Sequence, residues 1–442
     1  MNHDALIATS RRDKRLADAA RRLLAHIGEI LQADLSVRLW TGEILPLGTI
    51  TPGSPVLAVR SPGAVARLVR RPRLTTLIEL VAAGELEIER GTLLDVARRR
   101  GSISSKGLLR RLDKRLVAAS LWPFLFTPGT AGGDHAFQGP IADREAAGRD
   151  NAALIQFHYD LSNAFYALFL DPEMQYSCAY FPRWDASLEE AQLAKLDMIC
   201  RKLRLAPGER LLDIGCGWGG LVCHAARRYG VIAHGITLSQ AQLAFAKEKV
   251  AELGLRDRVT VELRDYRDID GTFDKIASIG MFEHVGLDNH NAYFAKMHAL
   301  LRPRGLLLNH AIARRAKRDM RRFRRKRSEY AALTRYVFPG GELDYIGLSL
   351  TNLERHGFEI HDVEGWREHY ARTCALWCER LAANREAAER EVGAARTRLW
   401  LLYLAGCALT FERGGAGIFQ TLASKRGIDA SGLPPTRADL YR

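Results

Sequence analysis

The sequence predicts an α/β protein in which a parallel sheet flanked by helices follows a smaller α+β unit. Three observations carry this reading. Between residues 210 and 312, short apolar runs alternate with stretches of helical period. The first of those runs meets a helix through a turn dense in glycine, Asp213-Ile214-Gly215-Cys216-Gly217-Trp218-Gly219-Gly220. Finally, 442 residues of which 47% are hydrophobic form more than one core would hold, so two domains are expected.

The N-terminal unit reads as follows. Leu16, Ala19, Leu23, Ile27 and Leu31 recur at helical spacing. Leu35 to Trp40 alternates inward and outward, Thr41-Gly42-Glu43 turns, and Ser54 to Arg60 alternates again. Pro62 to Val69, with proline at its first position, and Leu74 to Ala83 read as helices, and Glu85 to Ile88 as a short strand. No catalytic cluster stands in this unit. Residues 127–150, rich in glycine and polar groups, read as a linker between a domain at 1–126 and one at 151–430, with a tail at 431–442.

In the second domain, strands are expected at Arg210 to Ile214, Val231 to Thr237, Val259 to Arg264, Lys275 to Ile279 and Leu306 to Ile312. Helices fall between them, at Leu221 to Tyr229, Ala241 to Leu253 and Asn291 to Leu301. Continuous apolar strands with intervening helices argue a buried parallel sheet. A helix before the first strand opens on the capping box Ser187-Leu188-Glu189-Glu190 and stops before Pro207-Gly208. After Ile312 the alternation breaks, and the remainder reads as mainly helical.

Ligands of such sheets bind beyond the C-terminal strand ends. The glycine turn lets backbone approach a ligand closely, and the helix behind it aims its first amides there. Its G-x-G-x-G spacing, with Asp213 just before, resembles the first motif of class I S-adenosylmethionine methyltransferases. The second strand ends in Thr237-Leu238-Ser239-Gln240, with Gln242 one turn on, suited to a ribose hydroxyl, although Ser239 can equally serve as an N-cap. The third ends in Asp265-Tyr266, suited to an adenine amine and ring. The fourth runs into Met281-Phe282-Glu283-His284-Val285-Gly286 and leaves an acid, Glu283, at the rim of an apolar strand, where it needs a partner. The fifth ends at His310-Ala311-Ile312.

Longer motifs make the resemblance specific. Gln156 to Tyr166, Tyr176-Ser177-Cys178-Ala179-Tyr180-Phe181, Met281 to Gly286, Tyr336 to Glu342 and His369-Tyr370-Ala371-Arg372-Thr373 resemble the cyclopropane-fatty-acyl-phospholipid synthases, in the right order over residues 151 to about 427. The N-terminal unit resembles, less closely, the lipid-binding-like extension of the longer bacterial members. The resemblance implies a Rossmann-like seven-stranded methyltransferase sheet with an inserted helical lid over an acyl tunnel. It implies cofactor contacts from Tyr176, Ser177, the turn Asp213, Gly215, Cys216, Gly217, Trp218, Gly219 and Gly220, the segment Thr237, Leu238, Ser239, Gln240 and Gln242, and Asp265-Tyr266. It also implies a catalytic group made of a bicarbonate ion held by Cys178, Glu283, His310, Ile312 and Tyr370, and of a cysteine credited with catalysis in the family, which falls at Cys407. Departures from the pattern are Asn309 and Ala311 beside His310, and Asp344 where proline is commoner.

That family methylates a cis alkene with S-adenosylmethionine and closes a cyclopropane ring on an unsaturated phospholipid chain. Charge on the acyl chain then calls for a dry pocket with aromatic faces; Phe157, Tyr159, Phe165, Tyr166, Tyr180, Phe181 and Tyr336 are candidates. Bicarbonate would take the proton, oriented by Glu283 and Tyr370. Cys407 lies in an apolar helix-like run with no basic neighbour in sequence to activate it, so a structural role is the better reading. Two rivals stay open: a methyl- or methylene-branched product, and a non-catalytic lipid- or nucleic-acid-binding protein.

A net charge of +14 calls for an anionic partner, and ten of the fourteen residues from Arg314 to Arg327 are Lys or Arg. No zinc-finger, RNA-binding or helix-turn-helix pattern accompanies the charge, so nucleic acid is not expected and an anionic membrane surface is, with a solvated charged helix as the alternative. The seven scattered cysteines and the polar Met1 to Arg15 predict a reduced, cytoplasmic protein at the inner face of the cell membrane, without a structural metal. Cys374 and Cys378 read as packing on a helix. The longest apolar stretch, Leu399 to Phe411, is too short to span a bilayer. A homodimer is compatible with this reading.

Overall fold

The computed structural model describes residues 11–101, 103, 105–130, 161–325, 328–428 and 430–441. Gln156 to Asp160 of the first motif, the linker beyond residue 130, and Lys326 and Arg327 of the basic run lie outside them. Two compact units are present, Met1–Ala136 with Ala388–Gly406, and Phe137–Ala387 with Cys407–Arg442.

The first unit is a four-stranded sheet with helices. Helix Arg11–Leu31 buries Leu16 and Ala19 of the expected stripe, with Ala17 beside them, while Leu23, Ile27 and Leu31 are half-buried. Strands β1 (Ser36–Arg38), β2 (Ile44–Pro46), β3 (Val56–Val59) and β4 (Leu86–Arg90) lie in the order β2-β1-β3-β4. Helix Pro62–Arg70 is capped by Ser61, which accepts from the Ala64 amide. Helices Leu93–Arg99, Ser105–Arg111 and Lys114–Leu125 were not foreseen, because their apolar positions are short runs without a full amphipathic period. The boundary also differs from the expected one: residues 388–406 group with this unit, where Arg398 donates to the Ala82 carbonyl at 3.1 Å.

The second unit is built on seven strands, β5 (Arg210–Ile214), β6 (Ile232–Thr237), β7 (Val259–Leu263), β8 (Phe273–Ile279), β9 (Leu301–Arg314), β10 (Phe358–Gly365) and β11 (Ala416–Lys425). Their order is β10-β11-β9-β8-β5-β6-β7. Neighbours among β5 to β9 pair in parallel, while β11 runs antiparallel to both β9 and β10. The expected parallel sheet is thus mixed, and the region after Ile312, mainly helical as expected, also supplies β10 and β11. Strands β10 and β11 are hard to read from sequence because Phe358-Glu-Ile-His-Asp-Val-Glu-Gly is largely polar and half-buried, and β11 carries buried Gln420 and Thr421 amid its apolar residues.

The sheet core is apolar on both faces: Leu211, Val261, Ala277 and Leu308 pack to one side, and Leu212, Ile214, Ile276 and Leu307 to the other. Helix Leu188–Lys202 precedes β5 and is capped by Ser187, whose hydroxyl accepts from the Glu190 amide. Short helices Met320–Arg324, Ser328–Tyr336 and Ile346–Arg355 stand between β9 and β10, where an insertion was expected. The C-terminal tail packs on this unit: Leu440 is buried, its carbonyl accepts from Arg201, and Asp439 pairs with Arg204. Among the described residues no helix is long and apolar enough to cross a membrane.

Candidate active site

The C-terminal ends of β5, β6, β7 and β8 open on a cleft continuous with solvent at its mouth. Twelve of the sixteen residues expected to bind a cofactor line it. The backbone explains the arrangement. Gly215, Gly217 and Gly219 all take positive φ, at 77°, 55° and 81°. The amides of Gly215 and Cys216 both donate to the Ile236 carbonyl at 2.9 Å, which folds the turn over β6. A Cβ at Gly217 would meet no heavy atom within 4 Å, so that position borders open space, whereas one at Gly215 would strike Met281 at 2.9 Å.

The remaining four expected contacts lie behind the wall. Gly219 caps helix Gly220–Tyr229, and Gly220 packs where a Cβ would collide with Gln175 at 2.1 Å. Ser239 is buried and caps helix Gln240–Glu252, accepting from the Gln242 amide, while Gln240 is exposed. For Ser239 the N-cap alternative is therefore the one seen. Its helix also steadies the lining, since the Thr237 hydroxyl donates to Gln242 Oε1 at 2.8 Å. Asp265 lines the cleft, yet both its oxygens accept from Arg267, at 2.8 and 2.9 Å. Trp218 is fixed by its indole N–H, which donates to Asn163 Oδ1 at 2.8 Å.

Asp213, near the C-terminal end of β5, is one of the ionisable groups that line the cleft. It is buried, its Oδ1 has no hydrogen-bond partner, and burial pushes its pKa up to about 7 although Lys195 opposes the shift. An orphaned buried carboxylate oxygen facing a cleft fits an ammonium-bearing ligand such as the methionine end of S-adenosylmethionine. Sequence reasoning missed Lys195, which lines the same cleft and donates to Gln175 Oε1 and to Ser177 Oγ. Burial lowers its pKa to about 8. Its signal was present: Ala191, Lys195 and Ile199 share one helical face, and a lysine on a buried stripe is out of place. Met281 and His284 line the cleft as well.

The six residues expected to carry catalysis do not line this cleft. Glu283 follows β8 in a short 3-10 turn and is buried; the Ile312 amide donates to its Oε1 at 2.6 Å, and its Oε2 has no partner. Burial raises its pKa to about 7. His310 is fully buried, with Nδ1 3.2 Å from Gln420 Nε2 and Nε2 without a partner, and burial holds its pKa well below the usual range. Its carbonyl accepts from the Gly280 amide at 2.8 Å. Cys178 is buried and donates to the Ala179 carbonyl at 3.3 Å, its pKa raised well above the ordinary value by burial. Burial likewise raises the Tyr370 hydroxyl, with Cys374, Tyr176, Cys178 and Cys407 acting in the same direction, which places those side chains in one neighbourhood. Cys407 is half-buried on helix Ala394–Glu412. Cys374 and Cys378 are buried on helix Arg367–Ala383.

Aromatic rings run from the cleft towards Tyr370. Trp218 lies 5.0 Å from Tyr166, Tyr166 5.6 Å from Tyr176, Tyr176 5.1 Å from Trp377, Trp377 6.1 Å from Tyr370, and Tyr370 4.6 Å from Phe411. Of the aromatics singled out in the sequence, Tyr166 belongs to this array. Phe165 packs behind it, whereas Tyr180 and Phe181 stack on His369. Tyr336 sits on helix Ser328–Tyr336 beside Arg335, and Phe157 and Tyr159 lie outside the described residues. Trp377 and Phe411 were missed because each reads as a core position of its own helix.

Comparison with known proteins agrees with this geometry. Residues 147–421 match the family model described as mycolic acid cyclopropane synthetase. A probable fatty acid methyltransferase of Pseudomonas putida is 40% identical over 95% of this chain and all of its own. The cyclopropane-fatty-acyl-phospholipid synthase of Escherichia coli K12 is 41% identical over 62% of this chain and 67% of its own. Among solved structures, the mycolic acid cyclopropane synthase CmaA1 complexed with SAH and CTAB is 36% identical, covering 62% of this chain and 98% of its own, with a TM-score of 0.59. A class I methyltransferase sheet carrying a glycine-lined cleft at its strand ends, matched over most of its length by that family model, has one reading: the chain belongs to the mycolic acid cyclopropane synthetase family.

Proposed function

We propose that this enzyme transfers the methyl carbon of S-adenosylmethionine to the cis double bond of an unsaturated phospholipid acyl chain and closes a cyclopropane ring. The observation that carries the reading is the aromatic array leading from the cofactor cleft at Trp218 to Tyr370. S-adenosylmethionine, when bound, supplies an electrophilic methyl group. The alkene is a weak nucleophile, and its attack leaves positive charge on the acyl chain. Tyr166, Tyr176, Trp377 and Tyr370 would offer π faces to that charge, an interaction worth about 2 kcal/mol or more when desolvated.

Ring closure needs a proton removed from the transferred carbon. Glu283 Oε2 and His310 Nε2 are buried polar atoms without partners, on the turn after β8 and on β9. Such atoms fit a small anion such as bicarbonate. With its pKa near 7, Glu283 can carry a proton at neutral pH and donate it in a hydrogen bond to the anion, and Tyr370 would orient the same ion. Bicarbonate would then supply a base without an ionised side chain against the lipid. Cys178 and Ile312 would need to release their present acceptors, the Ala179 carbonyl and Glu283, to join in.

The basic segment supports docking to anionic lipid. Lys317, Arg318, Arg321, Arg322 and Arg325 are exposed. Arg314 and Arg324 are engaged instead, over the Phe323 ring and with Asp288 at 2.6 Å. Each exposed cation near an anionic leaflet contributes about 1 kcal/mol. An enzyme working at the cytoplasmic face of the membrane is consistent with this charge.

A second reading is a methyl- or methylene-branched product. It is favoured by the Pseudomonas relative, named only as a fatty acid methyltransferase, and by buried Asn309, whose Oδ1 has no partner beside His310. Incubation with labelled cofactor and vesicles of mixed unsaturated phospholipids tests both. Upfield cyclopropane protons in the product support the first reading, and olefinic or branched-methyl signals support the second.

A further inference from the structure

We propose that the outer face of helix Lys114–Leu125, with Phe126 at its end, is an interfacial anchor that inserts into an anionic phospholipid bilayer. Arg115, Ala118, Ala119, Trp122 and Phe126 share one side of the helix by their spacing, and all are exposed. Trp122 is 62% exposed and Phe126 67%, their rings meeting edge to face at 5.5 Å. Leu125 is also exposed. The opposite side holds buried Ser120 and Phe124, so the helix is already seated on its own unit and this face is surplus to that packing.

Charge selects the occupant. The helix contains no acidic residue, and Lys114 and Arg115 stand exposed at its start. At the aromatic end, Arg12 donates to the Phe126 carbonyl at 2.7 Å and Arg70 to the Thr127 carbonyl at 2.9 Å. Cations therefore flank the aromatic pair on both sides. Residues 1–126 hold 21 Lys and Arg against 12 Asp and Glu. An amphipathic tryptophan beside phenylalanine and leucine, bordered by cations, matches the boundary between headgroups and acyl chains of an anionic leaflet. The inference rests on the reading that the acyl substrate lies in a bilayer, and it gives the N-terminal unit a contact of its own with such a surface, in addition to the basic segment.

The test uses the full chain and vesicles of phosphatidylcholine with or without phosphatidylglycerol. The variant Trp122→Ser/Phe126→Ser is expected to lose about tenfold or more in partition onto phosphatidylglycerol vesicles. Lys114→Glu/Arg115→Glu should weaken the same binding and flatten its salt dependence. Both variants should keep wild-type cofactor affinity and wild-type turnover on detergent-dispersed phospholipid, while turnover on vesicles falls. Unchanged partition of the aromatic variant overturns the anchor. So does a shift in oligomeric state with partition unchanged, which would make this face a contact between two copies. If the parent binds vesicles but modifies no dispersed phospholipid, the proposed reaction fails while the partition measurements still decide the anchor.

Discussion

The Ile312 amide donates to Glu283 Oε1 at 2.6 Å and ties the turn after β8 to the neighbouring strand β9, leaving Glu283 Oε2 buried without a partner. One oxygen is thus fixed by backbone, and the other is the atom proposed to meet the anion. Buried carboxyls of this kind are rare unless a ligand completes them.

Glu283→Leu removes both the acceptor for the Ile312 amide and the donor proposed to hold the anion. Turnover is expected to fall by roughly a hundredfold, the usual scale of a lost acid–base contribution, because the base is no longer held, with cofactor affinity nearly unchanged. Tyr370→Phe should behave likewise, and added bicarbonate should rescue neither. Steady-state kinetics together with calorimetry check this. Wild-type turnover in both variants would remove the anion site from the mechanism.

Asp213 makes cofactor binding depend on pH. Its folded pKa is raised to about 7 by burial, so below that value the carboxyl is protonated and cannot pair with an ammonium group. Affinity should therefore rise as pH increases towards 7, by up to about tenfold per unit, and level off above it. Asp213→Asn should bind weakly with that rise abolished. Calorimetric titrations between acid and neutral pH decide it, and a wild-type affinity flat across that range would count against the assignment.

The same raised pKa sets the sign of the stability effect. Because the folded carboxyl holds its proton more tightly than the unfolded one, its contribution is fullest in acid and is lost as pH rises through about 7. Asp213→Asn should consequently raise the apo-protein's melting temperature more above neutrality than at about pH 5. Equal shifts at both pH values would contradict this.

Gly217 borders open space at a φ of 55°, so an alanine there collides with no protein atom and projects into the region reserved for ligand. Gly217→Ala should cost about 1 kcal/mol of stability from the left-handed backbone. Gly217→Val should fold with a larger penalty. Both should weaken cofactor binding by tenfold or more. Normal binding by the folded alanine variant would show that the cofactor does not reach this turn.

For the basic segment, Lys317, Arg318, Arg321 and Arg325 are the residues to reverse, because Arg324 pairs with Asp288 and its reversal would disturb the fold. The quadruple change to glutamate should reduce binding to anionic vesicles and remove most of its salt sensitivity over ionic strengths where the Debye length is about 8–10 Å. Cofactor affinity should not move. Vesicle binding equal to the parent's would leave this segment a solvated face.

Much of this architecture is legible in the amino-acid sequence. Strand β5 matches its expected bounds, and β6 to β8 lie within a few residues of theirs, because central parallel strands are continuous apolar runs. Strands β10 and β11 are hidden by their polar residues: an antiparallel strand such as β11 can bury Gln420 against His310, which no periodicity announces. Glycine and acid spacing reveals the cofactor turn, since backbone geometry there demands those residue types. Lys195 is not found this way, because a lysine declares itself as buried only once its helix face is known. Trp377 and Phe411 join the aromatic array through tertiary contacts between segments far apart in sequence.

The central claim is that a proton leaves the transferred carbon itself. Its most direct test is to give the enzyme S-adenosylmethionine with a fully deuterated methyl group and phospholipid vesicles bearing cis-unsaturated chains, then to analyse the acyl products by mass spectrometry and NMR. The account predicts a cyclopropane whose new ring carbon keeps two of the three deuterons. A product that keeps all three on a methyl branch would show that the proton was taken from a neighbouring carbon, and would contradict it.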